Sequence, residues 1–408
     1  MRDVFVVGVG MTPFGRHQDK THTELTQAAV RLALADAGAV ARDVDMTLYA
    51  NVVQAFVNGE MSVPGEFALR PLGFEGVRSM HVEAACASGT MGFHIAYEYI
   101  RAGLCGAALV VGTEKLFNED PVKRFAVFQQ PLDIQEAQRY LEATRGKLAP
   151  VPPEGETKSV NALMDAYAAQ ARLHMATYGT TARQIAAVAA KNHRHSEHNP
   201  LSQYRNPMTT DEVMAARLVA WPLTVPMCAP ISDGSAAAIL CSAESLVRFA
   251  DARPVRVLAC NSRTGRDRAP DDYRGHVTRR VSGEAYEAAG LGPAEVDVAE
   301  VHDASSSGEI VQIEALGFAP EGEGGPRSDA GETSLGGRLP VNPSGGLVSK
   351  GHPLGATGLA QIHELVSQLR DACGARQVPG ARIALAENSG GFYGVEDGLS
   401  CVTILARD

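Results

Sequence analysis

The sequence has little that would staple it covalently, anchor it in lipid or bind it to nucleic acid. Seven cysteines in 408 residues stand far apart, at Cys86, Cys105, Cys228, Cys241, Cys260, Cys373 and Cys401. No two have Cys-x-x-Cys spacing, which leaves neither a disulfide framework nor a cysteine metal site. Reduced thiols are expected, and one of them is available as a nucleophile. No apolar run approaches the ~20 residues that span a bilayer, and the opening Met1-Arg2-Asp3-Val4-Phe5-Val6-Val7-Gly8 reads as a first strand rather than a signal peptide. A cytoplasmic chain with no membrane span is expected. Long cationic runs are also lacking, and a formal net charge of -10 argues against nucleic acid as the main partner. Only local basic pockets for a small phosphate ligand stay compatible with it. With 45% hydrophobic, 21% charged and 6% aromatic residues, disorder and fibrous classes are excluded. The length predicts two or three packed domains.

Short β-branched runs at 4–9, 46–51, 107–112, 255–260, 296–301, 382–386 and 400–405 alternate with Ala-rich helical stretches at 23–37, 88–102, 279–289 and 355–372. Such alternation predicts layered α/β packing. One pattern recurs. Ala35-Asp36-Ala37-Gly38 and Glu287-Ala288-Ala289-Gly290 each end a helix at glycine, and an aspartate seven residues later, Asp45 or Asp297, opens a strand. Glycine there supplies a left-handed cap. The pairing of helix 88–102 and strand 107–112 with helix 355–372 and strand 382–386 repeats the order, so two duplicated halves are predicted. The expected division is 1–115 with 231–250 as the first half, 116–230 as a capping insertion, and 251–408 as the second half. The insertion, with Pro150-Val151-Pro152-Pro153-Glu154-Gly155-Glu156, is expected to hold two polar helices.

Chemistry concentrates at four loops. Cys86, in Glu83-Ala84-Ala85-Cys86-Ala87-Ser88-Gly89, follows a strand starting near His81 and opens a helix. There the helix dipole and unpaired N–H groups favour thiolate over thiol, which makes it a plausible acyl acceptor. The plain alternative is a small buried hydrophobe, a reading kept for the other six cysteines. Asn342-Pro343-Ser344-Gly345-Gly346 and Gly351-His352-Pro353-Leu354-Gly355 form a glycine-dense loop with one imidazole. His352 there is suited to exchange a proton with a thiol, or is simply a satisfied loop histidine. Val301-His302-Asp303-Ala304-Ser305 and Glu387-Asn388-Ser389-Gly390-Gly391 leave strands of the second half. All four converge if the halves share a face.

Three patterns are decoys. Gly8-Val9-Gly10 lacks the third glycine of a dinucleotide fingerprint, because Pro13 stands there. Gly346 to Gly351 has phosphate-loop spacing with His352 in place of the lysine. His193, His195 and His198, beside Lys191, Arg194 and Glu197, read as a solvated helix end, and no metal is expected.

Cys86, then His302-Asp303, then Gly351-His352-Pro353 and Asn388-Ser389-Gly390-Gly391, with Ile185 to Asn206 and Ser232-Asp233-Gly234-Ser235 between, resembles the thiolase superfamily over nearly the whole chain. The likeness is greatest to its sterol-carrier-protein-2 branch. The resemblance implies a five-layer αβαβα core of two similar halves with an inserted loop domain. It implies acyl-CoA as substrate, no permanently bound cofactor, and a homodimer or homotetramer. By resemblance Cys86 takes the acyl group, His352 accepts the thiol proton, and the backbone N–H groups of Cys86 and Gly390 hold the oxyanion. His302 and His352 polarise the second thioester. Ser344, Gly345, Gly346 and Gly351 are expected to line the coenzyme A site.

Two departures stand out. The second cysteine of the family's Cys-x-Gly motif is replaced by Asn388, and the cysteine of the branch's His-Asp-Cys-Phe by Ala304, with Ser305 following. Neither usual thiolate base is present. An acyl-CoA C-acyltransferase making or cleaving a 3-oxoacyl-CoA is therefore weighed against acyl transfer to an already activated acceptor. A thiolase-like scaffold subunit beside a small zinc-ribbon and OB-fold partner is the non-enzymatic alternative, against which the retention of Cys86 and His352 speaks.

Overall fold

The computed structural model describes residues 2–59, 61–120, 122–123, 131–155, 162–393 and 395–407. Its strands are β1 Val4–Met11, β2 Met46–Ala50, β3 Arg78–Val82, β4 Ala107–Lys115, β5 Leu218–Ala220, β6 Leu223–Thr224, β7 Asp233–Ser242, β8 Val255–Thr264, β9 Val298–Glu300, β10 Ile383–Tyr393 and β11 Glu396–Ala406. Nine of them form one mixed sheet in the order β3-β2-β4-β7-β1-β8-β11-β10-β9, and β5 pairs with β6.

That order is one pattern written twice. Moving outward from β1, the neighbours are antiparallel β7, antiparallel β4, parallel β2 and parallel β3. Moving outward from β8, they are antiparallel β11, antiparallel β10, parallel β9, and a parallel bridge from Ala299 to Val341 where a counterpart of β3 would lie. β1 and β8 join the halves antiparallel through Val4, Phe5 and Val6. The two glycines singled out by the repeat are both left-handed, Gly38 at φ 60° and Gly290 at φ 69°.

Strand alternation sorts the layers. Val4, Val6, Ala108 and Val110 face a central layer made by helices Ser88–Arg101 and Thr357–Leu369. Phe5, Val7, Leu109 and Val111 face the outer helix His22–Asp36, whose start is fixed by reciprocal hydrogen bonds between Thr21 and Glu24. On the far side, Leu385, Val402 and Ile404 pack against helix Val277–Ala289. The fold is therefore the expected five-layer α/β core.

Several expectations need correction. The strand near His81 starts at Arg78 and lies at the sheet edge, mostly exposed, so it carries no apolar run to reveal it. β7 is a strand that the β-branched runs do not reveal, because it is fully buried but rich in small residues. The insertion holds Pro131–Ala143, Ala162–Tyr178, Ala182–His195 and Thr210–Ala215, not two helices. Residues 121, 124–130 and 156–161 of that insertion, Glu156 included, lie outside the described residues. His193 and His195 are buried rather than solvated. The polar face of Ala182–His195 packs on the second half, where Lys191 Nζ meets Glu309 Oε1 of helix Ser306–Ala315 at 2.6 Å and His195 Nδ1 meets the Asn342 carbonyl at 3.0 Å.

Candidate active site

Cys86 sits between β3 and helix Ser88–Arg101 on a turn that its neighbours hold in a costly shape. Ala85 has φ 49°, a left-handed conformation that alanine rarely takes. Ser88 clamps the turn: its hydroxyl donates to the Ala85 carbonyl at 2.7 Å and accepts from the Ala84 N–H at 2.8 Å. Glu83 accepts the Ala85 N–H at 2.7 Å. The consequence is a thiol lifted toward open space, and Cys86 is only partly buried.

The His352 loop crosses from the second half and docks on the first. A Cβ on Gly112 would lie 2.0 Å from the Gly355 carbonyl oxygen, and one on Gly355 would lie 2.8 Å from that of Ala50. Backbone meets backbone there, and only glycine fits. Glu114 fastens the contact by accepting N–H groups from Val52, Val53 and Gly355. Its burial lifts its carboxyl to about 7. Docked in this way, His352 Nε2 lies 3.2 Å from Cys86 Sγ, and its Nδ1 lies 2.7 Å from Thr357 Oγ1. The Thr357 hydroxyl donates its own proton to the Pro353 carbonyl at 2.9 Å. Nδ1 must then be the donor to Thr357, which leaves the Nε2 lone pair facing the thiol.

His302 lies edge-on to His352, with ring centroids 5.4 Å apart. Its backbone N–H donates to Glu387 Oε2 at 2.9 Å, and its Nε2 is buried with no hydrogen-bond partner among the described residues. Burial holds His302 down at about 4, and burial with the neighbouring His302 and Lys350 holds His352 well below the usual imidazole range. Both rings are neutral at pH 7. Asp303 points away from the thiol: it accepts the Leu347 N–H at 2.6 Å and the Asn192 amide at 2.9 Å, tying the His302 loop to the glycine-dense loop.

The structure brings Cys86, His302, His352 and Gly390 together. A Cβ on Gly390 would lie 2.4 Å from the Ala84 carbonyl oxygen and 2.8 Å from the Ala87 nitrogen, so its backbone passes directly over the Cys86 turn. Asn388 is fully buried beneath it, with its amide nitrogen 2.9 Å from the Cys86 carbonyl oxygen once the amide is oriented to donate. It does not face the cavity.

Ser344, Gly345, Gly346 and Gly351 are not brought to the cavity. Ser344 is bound through both its N–H and its hydroxyl to Glu300, at 3.0 and 2.7 Å. Gly345 presses on Ser196, Gly346 on Asp303, and Gly351 on Ser232 and Phe14. These glycines let loops stack.

Cys86 and His352 floor a cavity of about 370 Å³ walled by Val52, Phe56, Met164, Tyr167, Ala304 and Phe392. Through Met164 and Ala229 it adjoins a groove of about 560 Å³ that includes Arg16, Tyr204 and Arg217. Through Tyr167 and Ala304 it adjoins a smaller polar cavity of about 50 Å³ behind His302. Sequence reasoning missed both the groove and the polar cavity, whose residues come from distant segments with no motif spacing. Among the described residues, the Cys86, His302 and His352 donor atoms are the one group within 4.8 Å of one another that would suit a soft cation. A metal there would compete with the thiol–imidazole hydrogen bond. No helix among the described residues is long and apolar enough to cross a membrane.

Residues 4–220 match the family model described as thiolase, N-terminal domain, and residues 265–406 match thiolase C-terminal domain-like. The chain is 36% identical over 398 residues to acetyl-CoA acetyltransferase of Methanothermobacter thermautotrophicus, covering 97% of this chain and 98% of that relative. It is 35% identical over 401 residues to sterol carrier protein 2 of Rattus norvegicus, covering 95% of this chain and 70% of the relative. Among solved structures, one named Ltp2-ChsH2(DUF35) aldolase superposes with a TM-score of 0.76 at 21% identity, over 100% of this chain and 98% of its own.

Proposed function

Because this chain belongs to the thiolase family and is an acyltransferase acting on coenzyme A thioesters, we propose that it works through an acyl group carried on Cys86. The observation that carries this reading is the 3.2 Å contact between Cys86 Sγ and the unprotonated Nε2 of a neutral His352 at the floor of an open cavity. His352 takes the thiol proton as sulfur attacks the thioester carbonyl. The carbon–sulfur bond to coenzyme A breaks, and the proton returns to the leaving thiolate. Gly390 and the Cys86 turn supply backbone donors for the oxyanion, and His302 faces the carbonyl of the second thioester. The apolar groove with exposed Arg16 and Arg217 at its margin suits a pantetheine arm and its phosphates, a role that Ser344 and its glycines are too enclosed to take.

The reaction read from this site makes or cleaves a 3-oxoacyl-CoA. Transfer to an already activated acceptor is the second reading, favoured by the enclosure of Asn388 and by Ala304 at the cavity wall. Assembly is read as a dimer of this chain. Phe56, Met61, Val63 and Phe67 are exposed in the segment between β2 and β3, and edge strand β3 has no strand on its outer side among the described residues. A small zinc-ribbon and OB-fold partner stays compatible with a structural neighbour whose name pairs it with ChsH2.

Mass spectrometry after exposure to acetyl-CoA tests the proposal. An acyl adduct on Cys86 is expected, lost in Cys86→Ala and kept in Cys401→Ala. Burial raises the Cys401 thiol far above its usual range. Equal loss in both variants, or no adduct with any of a panel of acyl-CoAs, overturns it in favour of a binding subunit.

A further inference from the structure

The small cavity behind His302 holds chemistry that acylation of Cys86 does not use. Its wall includes His302, Ala304, Ser305, His276, Gln312 and Asp397. Among the described residues, two polar atoms there are buried with no partner, His302 Nε2 and Gln312 Oε1, in residues 7% and 4% exposed. Leaving such atoms unpaired is costly unless a ligand satisfies them. The Asp397 side chain keeps 20% of its surface accessible. It accepts from Gln312 Nε2 at 3.3 Å, and His276 Nε2 lies 3.9 Å away. The Thr278 N–H donates to His276 Nδ1 at 3.2 Å, so the neutral ring carries its proton on Nε2, facing Asp397.

A second carboxyl stands behind the first. Ser389 bonds Asp397, and its Oγ lies 2.6 Å from Glu387 Oε1. Burial lifts Glu387 to about 8 and Asp397 to about 6. At pH 7 Glu387 therefore holds a proton and Asp397 is largely ionised, near the pH at which a general base serves best. The other charged groups around Asp397 are Glu396, which opposes its ionisation, and Arg268, which favours it. Arg268 is itself occupied by Glu396 and by the carbonyls of Ala269, Asp272 and Val395.

Resting on the acyl-Cys86 reading, we propose that Asp397 is the base that the two missing cysteines leave vacant, removing the α-proton of the nucleophilic thioester from within the polar cavity. The C–H electron pair becomes an enolate whose oxygen faces His302 Nε2. The enolate carbon attacks the acyl carbonyl, the new carbon–carbon bond forms, and the bond to Cys86 sulfur breaks. The departing thiolate is balanced by the proton taken up at Asp397. In the cleaving direction the protonated carboxyl returns the proton to carbon. Glu387, through Ser389, donates toward Asp397 and holds its charge.

The test follows deuterium exchange at the methyl group of acetyl-CoA in heavy water, with acyl-Cys86 formation measured in the same samples. The native chain is expected to exchange, at a rate that rises with pH through about 6. Asp397→Asn loses exchange at least about 100-fold while still forming the Cys86 adduct, and Asp397→Glu restores part of it. Ser389→Ala keeps the carboxylate but removes a donor to it, so the pH limb moves upward. Adduct formation without exchange in the native chain, exchange in Asp397→Asn within threefold of native, or an unmoved limb in Ser389→Ala overturns the inference. Absence of the Cys86 adduct in the native chain instead refutes the acyltransfer reading on which it rests.

Discussion

His352 and Cys86 are separated by 266 positions in sequence and by 3.2 Å in space, and Thr357 decides which nitrogen of the ring the sulfur meets. The Thr357 hydroxyl has one proton and gives it to Pro353, so it receives one from His352 Nδ1. The tautomer is set by a residue that never touches the thiol.

Thr357→Val removes that acceptor without altering the side-chain volume much. The ring loses its fixed tautomer, and acylation of Cys86 is expected to slow by about 10- to 100-fold. The rate of adduct formation with acetyl-CoA measures it. A rate equal to native shows that the hydrogen bond to Thr357 does not set the proton.

Gly355→Ala places a methyl group 2.8 Å from the Ala50 carbonyl oxygen, backbone that cannot turn aside. The loop must lift, at a cost of about 1–3 kcal/mol, and His352 lifts with it. A lower thermal midpoint together with slower labelling of Cys86 by iodoacetamide is expected. A lower midpoint with unchanged labelling shows that the loop yields elsewhere.

Glu387 gives a pH signature in stability. Its folded value, about 8, lies above its ordinary value of 4.5. The stabilisation it contributes is therefore complete below about 4.5 and is lost as pH rises through 8. Glu387→Gln cannot ionise, yet its amide can still accept from His302 N–H and donate to Ser389 and Ser400. The variant is expected to lose less thermal midpoint than the native chain between pH 6 and 9. Parallel curves for the two proteins refute the assignment.

Ala304 borders both the Cys86 cavity and the polar cavity behind His302. Ala304→Cys returns a thiol to the place where the sterol-carrier branch has one, but with Asp397 serving as the base the rate of acetoacetyl-CoA cleavage is expected to stay within about threefold of native. Markedly faster cleavage in a folded variant shows that a second thiolate is what the native site lacks, and counts against Asp397.

Local chemistry made much of this protein legible in its sequence. Alternating Val4 to Val7, the glycine caps at Gly38 and Gly290, and the small residues around Cys86 each act through neighbours a few positions away, so the layered halves and the strand-to-helix turn that presents the Cys86 thiol could be read directly. The tertiary structure alone decided the rest. It buried His195 and Lys191 against a distant loop, enclosed Ser344 against Glu300, and gathered Asp397, His276 and His302 around one small cavity. Desolvation and hydrogen bonding across hundreds of residues determine what those groups do, and neither quantity is a property of a short stretch of chain.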